Sequence, residues 1–138
     1  FIMTFGRDFA YIGNQYHLEI FGEELFPDLL FLNRELNCMV VVELKKGAFK
    51  PAYIGQLQTY MKVLDDKVRK PHENPTIGIL LCKSANKAFV EYVIRDNNHP
   101  MGVATYKTAE DMSEEFRKAL PDMDEMRKLL INESDTDN

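Results

Sequence analysis

Apolar and polar positions near the start of the chain follow a strand-like pattern. Within residues 9–21 apolar positions around Leu18 alternate with polar ones, which predicts a strand with one polar face. Residues 25–33 and 38–45 are predicted as the second and third strands, separated by a polar turn. Because residues 39–42 are apolar at every position, we expect the third strand to be buried on both faces.

Helical spacing begins after the third strand. Gly47 ends that strand, and Pro51 suits the first turn of a helix. The predicted helix has an apolar stripe at positions i, i+3, i+7, i+10 and i+14, formed by Ile54, Leu57, Met61, Leu64 and Val68. The apolar run 76–82 predicts a buried strand, parallel to its neighbour because a helix precedes it.

The remaining pattern completes an α/β order. Ser84 is predicted to cap a second helix that ends near Arg95. Residues 101–106 predict a last short strand, and helical pieces follow within residues 108–131. The predicted fold class is therefore α/β: a mixed β-sheet, an antiparallel meander followed by a parallel strand, flanked by helices.

Composition fits one ordinary globular domain. The chain has 138 residues, of which 45% are hydrophobic and 28% charged, so wholesale disorder is excluded. No apolar run approaches ~20 residues, and we expect no membrane partner. Cys38 and Cys82 lack CxxC or His spacing, which favours buried thiols over a disulfide or a metal site. A reducing cytoplasm is the expected location.

The net charge of -5 comes from the end of the chain. Residues 110–138 contain ten acidic and four basic side chains, whereas residues 1–109 contain twelve acidic and thirteen basic ones. The basic residues include clusters at 45–50 and 83–87. Such clusters suit contacts with phosphate, although solvated surface lysines remain an equal alternative for any one of them.

Two carboxylates interrupt the apolar strands. A hairpin whose turn is centred between Glu35 and Leu36 pairs residues whose numbers sum to 71, so Asp28 would face Glu43. Facing carboxylates repel unless a cation lies between them, and Mg²⁺ prefers such oxygen ligands. Lys45, two residues after Glu43, would point to the same face, where an ammonium could orient water or stabilise developing negative charge.

The following helix adds Gln56 and Tyr60, which are four residues apart and therefore lie on one side of it. A glutamine beside the sheet could hydrogen-bond a metal-bound water or a phosphate. The structural alternative is a cross-strand ion pair at a sheet edge, with Gln56 merely solvated. The spacing alone leaves both alternatives open.

The motifs FPDLLF, VVVELKKG and GQLQTY resemble those of the PD-(D/E)xK nuclease superfamily. Pro27 and Asp28 match its PD, residues 43–45 its ExK, and Gln56 to Tyr60 the Q-x-x-x-Y element of RecB-like members. Residues 5–106 are similar to the C-terminal domain of YhcG-like bacterial proteins. The resemblance implies a restriction-endonuclease-like fold, Mg²⁺ or Mn²⁺ dependence, a DNA substrate and an N-terminal DNA-binding region in the parent chain.

The resemblance also assigns roles and boundaries. Asp28, Glu43 and the backbone carbonyl of Leu44 would hold the metal, with Lys45 and Gln56 as further catalytic residues. Residues 1–106 would form the nuclease core. Outside the resemblance, the pattern and composition of residues 107–138 predict a helical extension with a disordered acidic tail. The chain would thus be a fragment of a longer protein.

Further residues are weaker candidates. Many nucleases of the superfamily use an acid upstream of the PD, which makes Glu19 a candidate additional metal ligand. Candidate nucleic-acid contacts are Tyr60, Lys46, Lys83, Arg7 and His17. For each of these, a solvent-exposed or structural role is the alternative.

The predicted function is a metal-dependent endonuclease domain acting on DNA, within a bacterial DNA-processing or defence protein. Two rival classes remain open. One is a non-catalytic interaction module that keeps a nuclease-like fold, and the other is a hydrolase of small nucleotides. The sequence leaves homo-oligomerisation open.

Overall fold

A computed structural model describes residues 8–105 of the chain. Its elements are, in chain order, β1 (Phe9–Asn14), β2 (Leu18–Ile20), β3 (Glu23–Leu25), β4 (Leu29–Asn33), β5 (Cys38–Leu44), α1 (Pro51–Lys67), β6 (Asn74–Cys82), α2 (Lys87–Ile94) and β7 (Met101–Thr105). The helical pieces predicted within residues 108–131 lie outside the described residues.

Five strands form the central sheet in the order β1-β4-β5-β6-β7, and β2 pairs with β3 in a separate two-stranded sheet. The β1–β4 and β4–β5 pairs are antiparallel, whereas β5–β6 and β6–β7 are parallel. Parallel neighbours need crossover connections, which α1 and α2 provide. The predicted mixed sheet flanked by helices is confirmed. Within residues 8–105, no helix is both long and apolar enough to cross a membrane.

The predicted hairpin register is confirmed. Leu29 pairs with Val42 and Leu30 with Val41, so the partners' numbers sum to 71 as the turn position requires. The next position in this register places Asp28 opposite Glu43. A shift of one residue would have turned these side chains to different faces of the sheet.

The two faces of the sheet form separate apolar clusters. Met39 and Val41 belong to the cluster that packs against α1, whereas Val40 and Val42 belong to the cluster on the opposite face. Because side chains alternate along a strand, Glu43 lies on the α1 face. All the predicted stripe residues of α1 except the terminal Val68 are buried, which fixes that helix over the same face.

The predicted first strand is wrong in extent. The strand β1 ends at Asn14, and Gln15 has a positive φ of 49° that turns the chain before β2 begins. The backbone N–H of Gln15 donates to the carbonyl of Asp28 at 2.9 Å. Polar and apolar positions alternate strictly only from Gln15 to Ile20, and this alternation does not show that a turn separates β1 from β2.

Two further boundaries differ. The predicted strand 25–33 is interrupted around Pro27, which offers no N–H to a ladder, and β4 begins only at Leu29. The predicted Ser84 cap is also wrong, because Asn86 caps α2 and its side chain accepts the Phe89 N–H at 3.2 Å. Ser84 instead forms a parallel bridge with Ala48.

Candidate active site

Each of the carboxylates of Asp28 and Glu43 accepts a backbone hydrogen bond from the segment that carries the other. The backbone N–H of Asp28 donates to Glu43 Oε2 at 2.6 Å, and the N–H of Leu44 donates to Asp28 Oδ2 at 2.9 Å. Asp28 Oδ1 also accepts a hydrogen bond from Gln15 Nε2 at 2.9 Å. The carboxylates thus occupy facing positions, Asp28 just before β4 and Glu43 within β5, and N–H donors orient several of their oxygens.

Glu43 is the more deeply buried of the two. Only 2% of its surface is exposed, and a carboxylate so far from water is costly without hydrogen bonds or a nearby cation. Its position follows from the alternation along β5, which aims the side chain between the sheet and α1. An apolar residue would fit this position at lower cost, so the charge marks it as a functional candidate.

Lys45 supplies the nearby cation. Its Nζ lies 3.9 Å from Glu43 Oε1 and donates a hydrogen bond to Gln56 Oε1 at 3.2 Å. The same Nζ lies 4.6 Å from the centre of the Tyr53 ring, within cation–π range. With its side chain 14% exposed, the ammonium is largely screened from solvent and is held from two sides of the site.

Tyr60 lies one helical turn after Gln56 and is buried. Burial, together with the negative charges of Glu43 and Asp28, raises the pKa of the Tyr60 hydroxyl to about 12, and a hydrogen bond with Gln56 partly opposes this. Tyr60 is therefore protonated at neutral pH. Gln56 contacts both Lys45 and Tyr60, so α1 helps to hold the ammonium in place.

Sequence reasoning missed three neighbours of the site. Gln15 reaches Asp28 only because the chain turns there, and Tyr53 contacts Lys45 from the first turn of α1. Cys82 is buried in β6; burial raises the pKa of its thiol to about 11, and the nearby charge of Lys45 opposes this rise. Tyr53, three residues before Gln56, could have been found from helical spacing.

Glu19 does not join the two carboxylates. It is exposed on β2, directly opposite Glu24 of β3, while its neighbour Leu18 points into the core. Across residues 8–105, no three or more His, Cys, Asp or Glu side chains are grouped so that they could hold a metal ion. The acidic side chains brought together at the site are those of Asp28 and Glu43.

The other predicted contacts are spread over the surface. His17 hydrogen-bonds Glu24 Oε1 at 3.0 Å and stacks on Phe26, with ring centres 5.0 Å apart. Lys46 and Lys83 are exposed in the loops that follow β5 and β6. Arg7 lies outside the described residues.

The donor set fits a hard divalent cation. Mg²⁺ in proteins commonly binds one or two carboxylates and keeps several waters. Each carboxylate oxygen has two lone pairs, so an oxygen that accepts an N–H can still coordinate an ion. Asp28 and Glu43 are the residues that could hold one, and the adjacent Lys45 reduces their mutual repulsion.

Comparisons with known proteins identify the family of the chain. The family model of the YhcG PDDEXK nuclease domain matches residues 1–121. A protein of Escherichia coli (strain K12) named "Putative nuclease YhcG" is 33% identical over 107 residues, which is 78% of this chain and 28% of that protein. The chain thus spans about a quarter of the length of this relative.

A solved structure supports the fold. The crystal structure of a repair endonuclease from Pyrococcus abyssi aligns with a TM-score of 0.50 and 16% identity, covering 72% of this chain and 38% of that one. This identity is low, so the likeness concerns the fold alone. Together with the family match over most of the sequence, it leads to one conclusion: the chain belongs to the YhcG family of PD-(D/E)xK nuclease domains.

Proposed function

We propose that this domain hydrolyses phosphodiester bonds in DNA with the help of Mg²⁺ or Mn²⁺. The observation that carries the proposal is the carboxylate pair: Asp28 and Glu43 each accept an N–H from the other's strand, and Lys45 lies 3.9 Å from Glu43. A structural ion pair would need only one acid beside the lysine. Membership of a nuclease family supports the same reading.

Asp28 and Glu43 would hold the ion, together with the backbone carbonyl of Leu44. The Leu44 N–H points to Asp28, and in an extended strand the N–H and C=O of one residue point to the same side. The Leu44 carbonyl would therefore also lie on the Asp28 side. When bound, the ion supplies a Lewis acid and lowers the pKa of a bound water toward neutrality.

Lys45 would place a positive charge beside the scissile phosphate. Its hydrogen bond to Gln56 and its contact with the Tyr53 ring restrict the ammonium to one region, so little reorganisation is needed as negative charge develops. Gln56 would position Lys45 and could also hydrogen-bond water. Tyr60, which is protonated and buried, would support Gln56 from the next helical turn rather than contact the nucleic acid directly.

The biological setting is proposed on the same basis. Because the chain spans 28% of its E. coli relative, we infer that the parent protein has a further region that would help to recognise DNA. We propose that the parent protein is a bacterial DNA-processing or defence protein that acts in the cytoplasm; membership of a nuclease family supports the nucleic-acid part of this proposal.

The test is cleavage of supercoiled and linear DNA in a series of Mg²⁺ and Mn²⁺ concentrations and in EDTA. Glu43→Gln preserves the size of the side chain and should lower the cleavage rate at least about 100-fold, because a metal ligand is lost. The control is Glu24→Gln, an exposed acid bonded to His17, which should cleave like the wild type. Cleavage that persists in EDTA or in Glu43→Gln would refute the proposal. A fold-intact wild type that cleaves nothing would instead favour a non-catalytic module.

A further inference from the structure

A cleft opens between the loop that follows β5 and the loop that follows β6. Its volume is about 380 Å³, within the range of pockets that hold small organic ligands. The lining residues come from both loops and from the start of α2: Ala48, Phe49, Ser84, Ala85, Asn86 and Phe89.

The loop that follows β5 connects the cleft to the candidate active site in sequence. The two loops are joined by hydrogen bonds from the Phe49 N–H to the Ser84 carbonyl and from the Lys83 N–H to the Gly47 carbonyl, both 2.9 Å long. Lys45 begins the first loop, three residues before Ala48 of the cleft wall. Three residues of extended chain span at most about 11 Å, so a polymer bound beside Lys45 could reach the cleft.

Phe89 gives the cleft an aromatic wall. Its side chain is 45% exposed although it lies on α2 close to the core, and its ring packs edge-on against the buried Phe49 with centres 6.0 Å apart. The Phe89 N–H is bonded to the Asn86 side chain, which fixes the backbone of this turn. A supported and half-exposed ring of this kind can stack with a planar ligand.

The charge around the cleft suits a phosphate backbone. Residues 45–50 and 83–90, the two segments that contain the lining residues, have no acidic side chain and include four exposed lysines: Lys46, Lys50, Lys83 and Lys87. In contrast, the exposed β2–β3 hairpin contains three glutamates within residues 19–24. Aromatic walls combined with lysine rims are characteristic of proteins that bind single-stranded nucleic acid.

We propose that this cleft binds one unpaired nucleobase of the substrate strand, stacked on Phe89, while the flanking lysines contact the neighbouring phosphates. The inference rests on the proposed nuclease function and extends it to a substrate class. A base can enter a protein cleft only when it has left the double helix. The domain therefore prefers single-stranded over fully paired DNA.

The test compares two single-stranded probes with the same backbone. A fluorescein-labelled DNA 12-mer and its abasic counterpart, which has the same phosphates but lacks bases, are titrated with the 138-residue chain in EDTA, and binding is read by fluorescence anisotropy. We expect the wild type to bind the probe with bases at least about fivefold more tightly than the abasic probe, the low end of the effect of one base–aromatic stack. The paired form of the 12-mer should bind more weakly than the single strand.

The variants locate this preference in the cleft. Phe89→Ala should bind both single-stranded probes equally, and Phe89→Leu, which keeps an apolar side chain against Phe49, should give the same result if the alanine variant does not fold. Tyr92→Ala is the matched control, because Tyr92 is an exposed aromatic residue of the same helix outside the cleft, and it should keep the full preference.

Three results would overturn the inference: equal binding of the two single-stranded probes by the wild type, an unchanged preference in a folded Phe89 variant, or tighter binding of the paired DNA. Binding in EDTA does not depend on cleavage. If the wild type cleaves DNA but binds both probes equally, only the inference about the cleft is refuted. If it prefers the probe with bases but cleaves no DNA, only the proposed catalysis is refuted.

Discussion

Gly78 is where the packing of α1 on the sheet can be tested by adding one methyl group. It lies in β6, beneath the helix that carries Gln56 and Tyr60. A Cβ built at Gly78 would overlap the sulfur of Met61 and come within 3.0–3.1 Å of two Leu57 carbons. Both neighbours are almost fully buried, so neither has free space into which to move.

The expected cost of Gly78→Ala follows from two opposing effects. Overpacking a dense core costs about 1–3 kcal/mol, whereas replacing a strand glycine recovers about 0.5–1 kcal/mol of backbone entropy. The free energy of unfolding should therefore fall by about 1–2 kcal/mol. For a chain of 138 residues, the melting temperature should fall by about 3–7 °C.

Gly55→Ala is the matched control. Gly55 lies within α1, and a Cβ there meets no atom within 4 Å. Alanine is favoured over glycine in a helix by about 0.8–1 kcal/mol, so this variant should be more stable than the wild type. Urea unfolding followed by circular dichroism measures both changes. If Gly78→Ala is as stable as the wild type, α1 does not pack on β6 as closely as the structure shows.

Two further predictions concern the charges of the site. Because the Tyr60 pKa is raised to about 12 from an ordinary value of about 10, the unfolded chain loses this proton first as the pH rises, and the free energy of unfolding falls between pH 10 and 12. The Tyr60→Phe variant should lack up to about 2–3 kcal/mol of that fall, as measured by urea unfolding at a series of pH values. If the free energy of unfolding depends on pH in the same way in both proteins, the buried environment assigned to Tyr60 is wrong. In EDTA, the free energy of unfolding of Glu43→Gln should be about 1 kcal/mol higher than that of the wild type. The substitution removes one of two facing charges from a buried position and keeps an oxygen that can accept the Asp28 N–H. If Glu43→Gln is less stable than the wild type, the attraction between Lys45 and Glu43 outweighs the repulsion from Asp28 and the cost of burying the Glu43 charge.

The hydrophobic pattern and one turn position were enough to predict the centre of the fold. A polar turn between two apolar runs fixes the register, and that register opposes Asp28 to Glu43. The position of Lys45 then follows from strand alternation. The apolar stripe of α1 correctly predicted which of its faces is buried, and Tyr60 lies on that side. Gln56 was expected to be half-buried beside the sheet, but it is exposed and reaches the site through its hydrogen bond with Lys45.

The remaining features depend on contacts between distant segments. The contact between Gln15 and Asp28 requires a turn that alternation does not reveal and the pairing of β1 with β4. Asn86 and Ser84 are both good capping residues, so only the path of the loop decides between them. The cleft beside Phe89 arises from two loops 35 or more residues apart, and no local pattern indicates it.

The central claim is that Asp28 and Glu43 together bind a divalent cation, and the most direct measurement is the melting temperature of the chain titrated with Mn²⁺. An ion that binds the folded state alone stabilises it by about 2.7 kcal/mol at 100 times its dissociation constant. The wild type should therefore melt at steadily higher temperatures as Mn²⁺ is added, while Asp28→Asn and Glu43→Gln should not. A wild type that is indifferent to Mn²⁺, or variants that gain as much as the wild type, would contradict the account.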